Sequence, residues 1–455
     1  MPTVHELDTA LTPLSAYERL AALGHPALLE GVADHADLGR WSYLAADPLE
    51  RITVTAADWP MLAERIRSTW RPGGDDRLPP FAGGWIGWLG YELGAAFDHQ
   101  PDTARDEFTR DDGEFALHDW VIVWDHQEGR CWLISTGIDR LGTASGERAR
   151  ERAEIVLSRL AAPTDDPPSD GHRPSTIDGP SIARSHTPDA YRQAVAAIIE
   201  AVRSGEMFQA NLSQRWVVAC PDTPLALYRR LRIAAPASHA ALLPGDGRTM
   251  VSASPESFLR YDAGTRRIAS RPIKGTRPRN ADPDRDTVLA RALVTSAKDR
   301  AENVMIVDLV RNDLLRVAEP WSVEVPQLCT LDSHVTVHHL SSTVTGTLRE
   351  RHDALDLIAA CFPAGSITGA PKLRAMEVLA EHEPVARGVY CGTIGWIGLD
   401  GSLGLSVAIR TMVHVGDQVA VHAGGGVTLL SDPEAEYLET LDKARALLGT
   451  LGLET

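Results

Sequence analysis

Stretches of strand character and stretches of helix character follow one another in this chain without regular alternation, and that order constrains the fold more than any other feature. The strand-like runs "FQANLSQRWVV", "HAALLP", "RTMVSASPESFLRY", "GTIGWIGL", "SLGLSVAIRTMV" and "QVAVHAGGGV" are interleaved with helical periodicity over Pro188–Arg203, Asp284–Leu314, Asp353–Cys361, Pro371–Glu381 and Pro433–Leu448. A simple parallel sheet needs a crossover helix between successive strands, which this order does not supply. The expected class is α+β: a large two-layer antiparallel or mixed β-sandwich with peripheral helices.

The segment "APTDDPPSDGHRPSTIDGPS", Ala162 to Ser181, is rich in Pro, Asp, Gly and Ser and poor in apolar residues, as linkers are. It sets an N-terminal region, 1–161, apart from a C-terminal region, 186–452, with 162–185 between them. The N-terminal region reads as strands and turns, including "GGWIGWLGYELG" and "WVIVWDH". Its glycines do not have the GxGxxG spacing of a dinucleotide loop, so tight strand packing is the reading.

With 455 residues and 44% apolar content the chain can bury a large core. A formal charge of −17 argues against nucleic acid and anionic membranes as partners. The five cysteines are widely spaced, without CxxC or Cys/His clusters, and read as reduced structural thiols. No signal-peptide pattern or membrane-length apolar run is present, so the expectation is a soluble cytoplasmic enzyme.

Several constellations have chemical potential. In "SDPEAEYLETLDKA", Ser431 reads as an N-cap completed by Glu434, and Glu436, Glu439 and Lys443 share one helical face. Taken alone, that face is better described as a solvated stripe with a Glu439–Lys443 pair. In "SAKDRAENVMIVDLVRND", Asp299 and Glu302 lie one turn apart beside a strongly apolar run. Glu302 and Glu439, from separate helices, would suit Mg²⁺, which takes one or two protein carboxylates and keeps oxygen ligands from water and substrate. Ordinary salt bridges are the alternative.

"FPAGSITGAPK" places Ser366 in a glycine-bearing loop ahead of a helix, which suits an anion without being a Walker A sequence. Gly424, Gly425 and Gly426 would let a ligand approach the backbone closely, or form a plain turn. Arg410, amid apolar neighbours, calls for a carboxylate from protein or substrate. In "MFQANLSQR", Phe208, Ala210 and Leu212 share one strand face, and Gln209, Asn211 and Ser213 the other. Glu256 alone reads as a surface carboxylate. In "SRPIKGTRPR", Lys274 stands among Arg271, Arg277 and Arg279, which would favour its neutral form if they face it.

Together, "SASPE", "RPIKGT", "AENVMIVDLVRNDL", "VHHLSSTVTG", "FPAGSITGAPK", "GVYCGTIGW", "SVAIRT", "AGGGV" and "SDPEAEYLETLDKA" resemble, in order, the chorismate-utilising enzymes: anthranilate synthase large subunits, aminodeoxychorismate synthase component I, and isochorismate and salicylate synthases. The N-terminal "ALLEG", "RWSYLAADP" and "GGWIGWLGYELG" extend the likeness. The resemblance implies Mg²⁺ at Glu302 and Glu439, with Asp299 and Glu436 beside it. It implies substrate-holding roles for Tyr390, Arg410, Gly424, Gly425, Gly426 and Lys443. Gly275, Thr276 and Ser366 would line the pocket, His339 would face the ring, and Glu256 would be the acid that helps expel the C4 hydroxyl.

Two positions divide the subfamilies. Isochorismate-forming members carry a lysine base where this chain has Gln209, and anthranilate synthases usually carry alanine where it has Lys274. "PIKGT", and "FQANLSQR" with Asn211, resemble the aminodeoxychorismate synthase branch. That branch implies a covalent role for Lys274, Mg²⁺ as cofactor, and ammonia from a separate glutamine amidotransferase subunit. The family's tryptophan-binding motif "LLES" reads "LLEG" here, so Gly31 removes that hydroxyl.

Overall fold

Alternating apolar residues make most strands of this protein two-faced, and the structure buries both faces by stacking sheet on sheet and helices on the outside. The computed structural model describes residues 2–32, 39–71, 73, 77–162 and 182–453. Its strands form a 12-stranded and a 10-stranded sheet, and neighbouring strands pair antiparallel throughout the described residues. The expected α+β sandwich with outer helices is the fold found.

One core lies between the sheets, built from residues such as Ile86, Trp88, Val123, Leu243, Ile394 and Val413. A second joins the outer face of the larger sheet to helices Pro13–Leu20, Gly146–Ala161, Pro224–Ala234 and Pro433–Thr450. A third joins the smaller sheet to helices Trp59–Ser68, Ala297–Leu315 and Ala354–Cys361. Each fully buried Leu, Ile or Phe in these layers contributes about 1.5–3 kcal/mol relative to exposure.

The two sequence regions share both sheets. Strand Ala27–Glu30 pairs with His239–Pro244 in the larger sheet, and Gly84–Leu89 pairs with Thr393–Gly398 in the smaller.

Several local expectations are corrected. The helix expected over Asp284–Leu314 is two helices, Pro283–Thr295 and Ala297–Leu315, divided at Ser296, whose side chain caps the second by accepting from the Asp299 amide. The last helix is capped by Asp432, which accepts from the Ala435 amide; Ser431 instead donates to Glu436. The N-terminal region, read as strands and turns, also carries helices Pro13–Leu20, Trp59–Ser68 and Gly146–Ala161. Phe208 precedes strand Gln209–Ala219 and is 70% exposed, so it does not share the buried face of Ala210 and Leu212. The expected linker falls mostly outside the described residues, but Ile182–Arg184 at its end is a strand paired with Trp216–Val218.

Candidate active site

Lys274 owes its direction to an irregularity in pairing. Strand Ile273–Pro278 pairs with Val337–Thr347 through Ile273↔Ser341 and Thr276↔His339, with a register shift between them. Such a bulge re-aims side chains. Gly275 sits within it at φ 86, and a Cβ there would lie 2.9 Å from Leu293 Cδ1, so glycine is required on both counts. The Lys274 amine is held below its usual range, first by burial and then by Lys443, while Glu302, Glu256 and Glu439 oppose the shift. The flanking arginines do not cause it. Arg271 pairs with Asp332 at 2.9 Å, Arg277 with Asp299 at 2.9 Å and Arg279 with Asp286 at 3.0 Å.

Glu256 is not on the surface. It follows strand Thr249–Ser254 and is 4% exposed. Burial pushes its carboxyl above the ordinary range, against the Ser366 hydroxyl, Lys274, the Ile273 amide and Lys443. Ser366 reaches it from the short turn Gly365–Ile367.

Helices Ala297–Leu315 and Pro433–Thr450 bring glutamates to the same place. A Cβ on Gly425 would lie 2.9 Å from Glu436 Oε2 and 3.6 Å from Glu439 Oε1, so both carboxylates close on the glycine strand. Burial raises the Glu302 and Glu436 carboxyls; for each, Glu439 adds like charge and Lys298 opposes. Burial opposes ionisation of Glu439 as well, but Lys443, at 2.8 Å, with Lys298 and Lys274, holds it below its usual value. Glu302 Oε1 and Glu436 Oε2 are buried without a hydrogen-bond partner among the described residues. Orphaned carboxylate oxygens from two helices are the donor type a hard divalent cation takes. Among the described residues no three His, Cys, Asp or Glu side chains form a complete metal cage, so water and substrate would have to supply the other ligands. Asp299 adds like charge to Glu302, and its Oδ2 accepts from Arg277 at 2.9 Å.

The remaining wall has two characters. Arg410, at φ 50 between strands Leu403–Val407 and Thr411–Val415, is half-buried with no acidic partner among the described residues, and desolvation presses its pKa down. A desolvated guanidinium without a carboxylate is a receptor for one. Its charge and burial keep His339 neutral, burial being the larger cause. His339 Nδ1 meets Thr276 Oγ1 at 2.9 Å and its Nε2 has no hydrogen-bond partner among the described residues. Tyr390 is buried and stacks on His422 with ring centroids 5.0 Å apart. Lys443 donates to the Gly424 carbonyl at 2.7 Å.

Strand Gln209–Ala219 lies against the glycines in the register Asn211↔Gly426, Leu212↔Gly425, Ser213↔Gly424. A Cβ on Gly426 would come within 2.3 Å of Gln209 Nε2, and Gln209 Oε1 is a buried acceptor without a donor among the described residues. Gln209 and Asn211 are thus buried at the glycine strand, not on a solvent-facing surface.

Two features escaped the sequence reading. Lys298 bridges Glu302 at 3.9 Å and Glu436 at 3.8 Å, although it lies inside a quoted motif. Glu383 and Arg387 form a buried pair whose only sequence signal is their four-residue spacing. Away from this site, a cavity of about 260 Å³ between the sheets is lined by Glu30, Arg40, Tyr43, His239 and Trp396 among others. Beside it, a Cβ on Gly31 would lie 2.2 Å from the Gly39 carbonyl oxygen, so the family's serine has no room there.

Comparison with known proteins agrees with the geometry. The family model described as "chorismate binding enzyme" matches residues 31–449. Anthranilate synthase component 1 of Streptomyces coelicolor is 38% identical over 97% of this chain and 87% of that protein. Aminodeoxychorismate synthase component 1 of Salmonella typhimurium is 38% identical over 90% of each. The crystal structure of anthranilate synthase component I from Streptococcus pneumoniae superposes with a TM-score of 0.79 at 30% identity, covering 89% of this chain and 91% of that one. With the matched residues spanning the glutamate pair, the bulged lysine and the unpaired arginine, the chain belongs to the family of chorismate-binding enzymes.

Proposed function

We propose that this protein aminates chorismate at C4 to give 4-amino-4-deoxychorismate, using ammonia from a separate glutamine amidotransferase subunit. One observation carries the reading: an amine pressed toward its neutral form, Lys274, shares a pocket with a carboxyl pressed toward its protonated form, Glu256. An environment that favours the neutral form of both groups suits an amine to attack as a nucleophile and a carboxyl to donate a proton. The aminodeoxychorismate synthase relative from Salmonella supports the same reading.

In the proposed sequence, the free amine of Lys274 attacks ring carbon C2. The ring double bonds shift, and the C4 hydroxyl leaves as water with the proton of Glu256. Ammonia then attacks C4, the double bonds shift back, and Lys274 departs as a neutral amine. The new ammonium returns a proton to Glu256. The covalent step divides one hard substitution into two easier ones.

Arg410 would take a substrate carboxylate, and Lys443 and Tyr390 would help fix it. Mg²⁺ bound by Glu302 and Glu439, with Asp299 and Glu436 beside them, would neutralise carboxylate charge on the ring. Gln209 has no basic group to activate water, which leaves C2 to Lys274.

A second reading, formation of 2-aminobenzoate, is favoured by the equal identity to the Streptomyces anthranilate synthase component. Incubation with chorismate, MgCl₂ and ammonium, followed by mass and regiochemical analysis, decides between them. A 4-amino product that needs a lyase to become para-aminobenzoate supports the proposal, and directly fluorescent 2-aminobenzoate overturns it.

A further inference from the structure

Arg387 is 3% exposed and stands just beyond helix Lys372–His382. Its guanidinium donates from Nε to Glu383 Oε2 at 2.7 Å and from Nη2 to Glu383 Oε1 at 2.8 Å. Nη2 also donates to the Asn211 carbonyl at 2.6 Å, and Nη1 to the Ile367 carbonyl at 3.0 Å. Four of the five N–H donors of an arginine are therefore used inside the protein. Glu383 Oε1 also accepts from the amide and hydroxyl of Ser213, at 2.8 and 2.9 Å.

The groups so joined all adjoin the pocket. Asn211 is two residues from Gln209 on the strand facing the glycines, Ile367 follows Ser366, and Tyr390 is three residues beyond Arg387. The backbone at Arg387 is itself fixed from the N-terminal region. Glu92 Oε1 accepts from the Arg387 amide at 2.7 Å and Oε2 from the Gly388 amide at 2.9 Å, while the guanidinium lies 4.5 Å from the centre of the Tyr91 ring.

We propose that Arg387 is a positioning residue, which holds the Asn211 strand, the Ser366 turn and the Tyr390 turn in the spacing that chorismate requires. This rests on the functional reading above. Arg410 has no acidic partner among the described residues and can receive a substrate carboxylate; Arg387 has its carboxylate already. Lysine cannot replace it, because a single ammonium lacks the planar fork that spans Glu383 and two carbonyls at once. Lys274 lies on another segment and Glu256 meets the clamped turn through Ser366, so loss of Arg387 falls first on substrate binding and less on the chemical step.

The test compares Arg387→Lys with Arg248→Lys, a change at an equally buried arginine that pairs with Asp111 at 2.9 Å away from the pocket. Steady-state kinetics with chorismate, MgCl₂ and ammonium are measured below both thermal midpoints, and chorismate binding is measured by calorimetry. Arg387→Lys should raise KM and the dissociation constant for chorismate at least tenfold and change kcat less than KM. Arg248→Lys should lower the thermal midpoint and leave KM unchanged. A folded Arg387→Lys with wild-type KM overturns the inference, as does an equal KM rise in Arg248→Lys. If Arg387→Lys does not fold, Glu383→Gln keeps the shape and weakens the clamp; it should raise KM in the same direction, and an unchanged KM overturns the inference. A wild type that neither binds nor converts chorismate overturns the functional reading itself, and this inference with it.

Discussion

Replacing Glu92 with glutamine should remove a pH-dependent loss of stability. Glu92 is buried, and its carboxyl is pushed from 4.5 up to about 7 by burial, against the amides of Arg387 and Gly388 and the charge of Arg105. The folded protein therefore binds this proton more tightly than the unfolded chain. Below about pH 4.5 the carboxyl is protonated in both states and contributes no difference. As pH rises from 4.5 toward 7 the unfolded chain ionises freely and the folded one resists, so stability falls through that window and levels off above it. A shift from 4.5 to about 7 corresponds to about 3 kcal/mol. Glutamine does not titrate and keeps an acceptor for one of the two amides. Urea unfolding of wild type and Glu92→Gln at a series of pH values isolates the effect, because all other titrations cancel in the difference. The wild type should lose about 3 kcal/mol relative to the variant across the window. A difference that stays flat with pH, or changes in the opposite direction, would refute the argument.

Three further outcomes are expected. Intact-mass spectrometry of wild type with chorismate and MgCl₂ but no ammonia should show an adduct on Lys274, and Lys274→Ala should show none and lose the 4-amino product; full product formation by that variant would end the covalent mechanism. Gly425→Ala should weaken Mg²⁺ or Mn²⁺ binding measured by calorimetry, because its Cβ would press on Glu436 Oε2 from 2.9 Å; unchanged affinity counts against a metal at this strand. Gly31→Ser should destabilise the protein by about 1–3 kcal/mol in urea titration, the typical cost of overpacking, and an unchanged midpoint would show that the Gly39 segment yields freely.

Local patterns carried much of this fold. The helix over Pro188–Arg203 and the strand His239–Pro244 have the bounds their periodicity predicts. The break at Ser296 was hidden because apolar periodicity continues across it while the capping hydroxyl leaves no apolar trace. At the site, residue types were legible but surroundings were not. Glu256 is buried because the Gly365–Ile367 turn, distant in sequence, brings Ser366 to it. Arg271, Arg277 and Arg279 seemed poised to act on Lys274, yet each is held by a different acid, of which Asp332 is the farthest in sequence. The Arg387 clamp was illegible for the same reason: two of its four bonds reach the Asn211 and Ile367 carbonyls, whose proximity only the tertiary structure establishes.

The sharing of both sheets has a consequence for how the chain can be cut. A polypeptide beginning near residue 182 would leave His239–Pro244 without Ala27–Glu30 and Thr393–Gly398 without Gly84–Leu89. Two apolar strand edges would then face solvent, a template for aggregation. The same cut made with both pieces present leaves every edge a partner. The two halves should therefore behave as a split protein: each insoluble when expressed alone, and competent to reassemble when produced together.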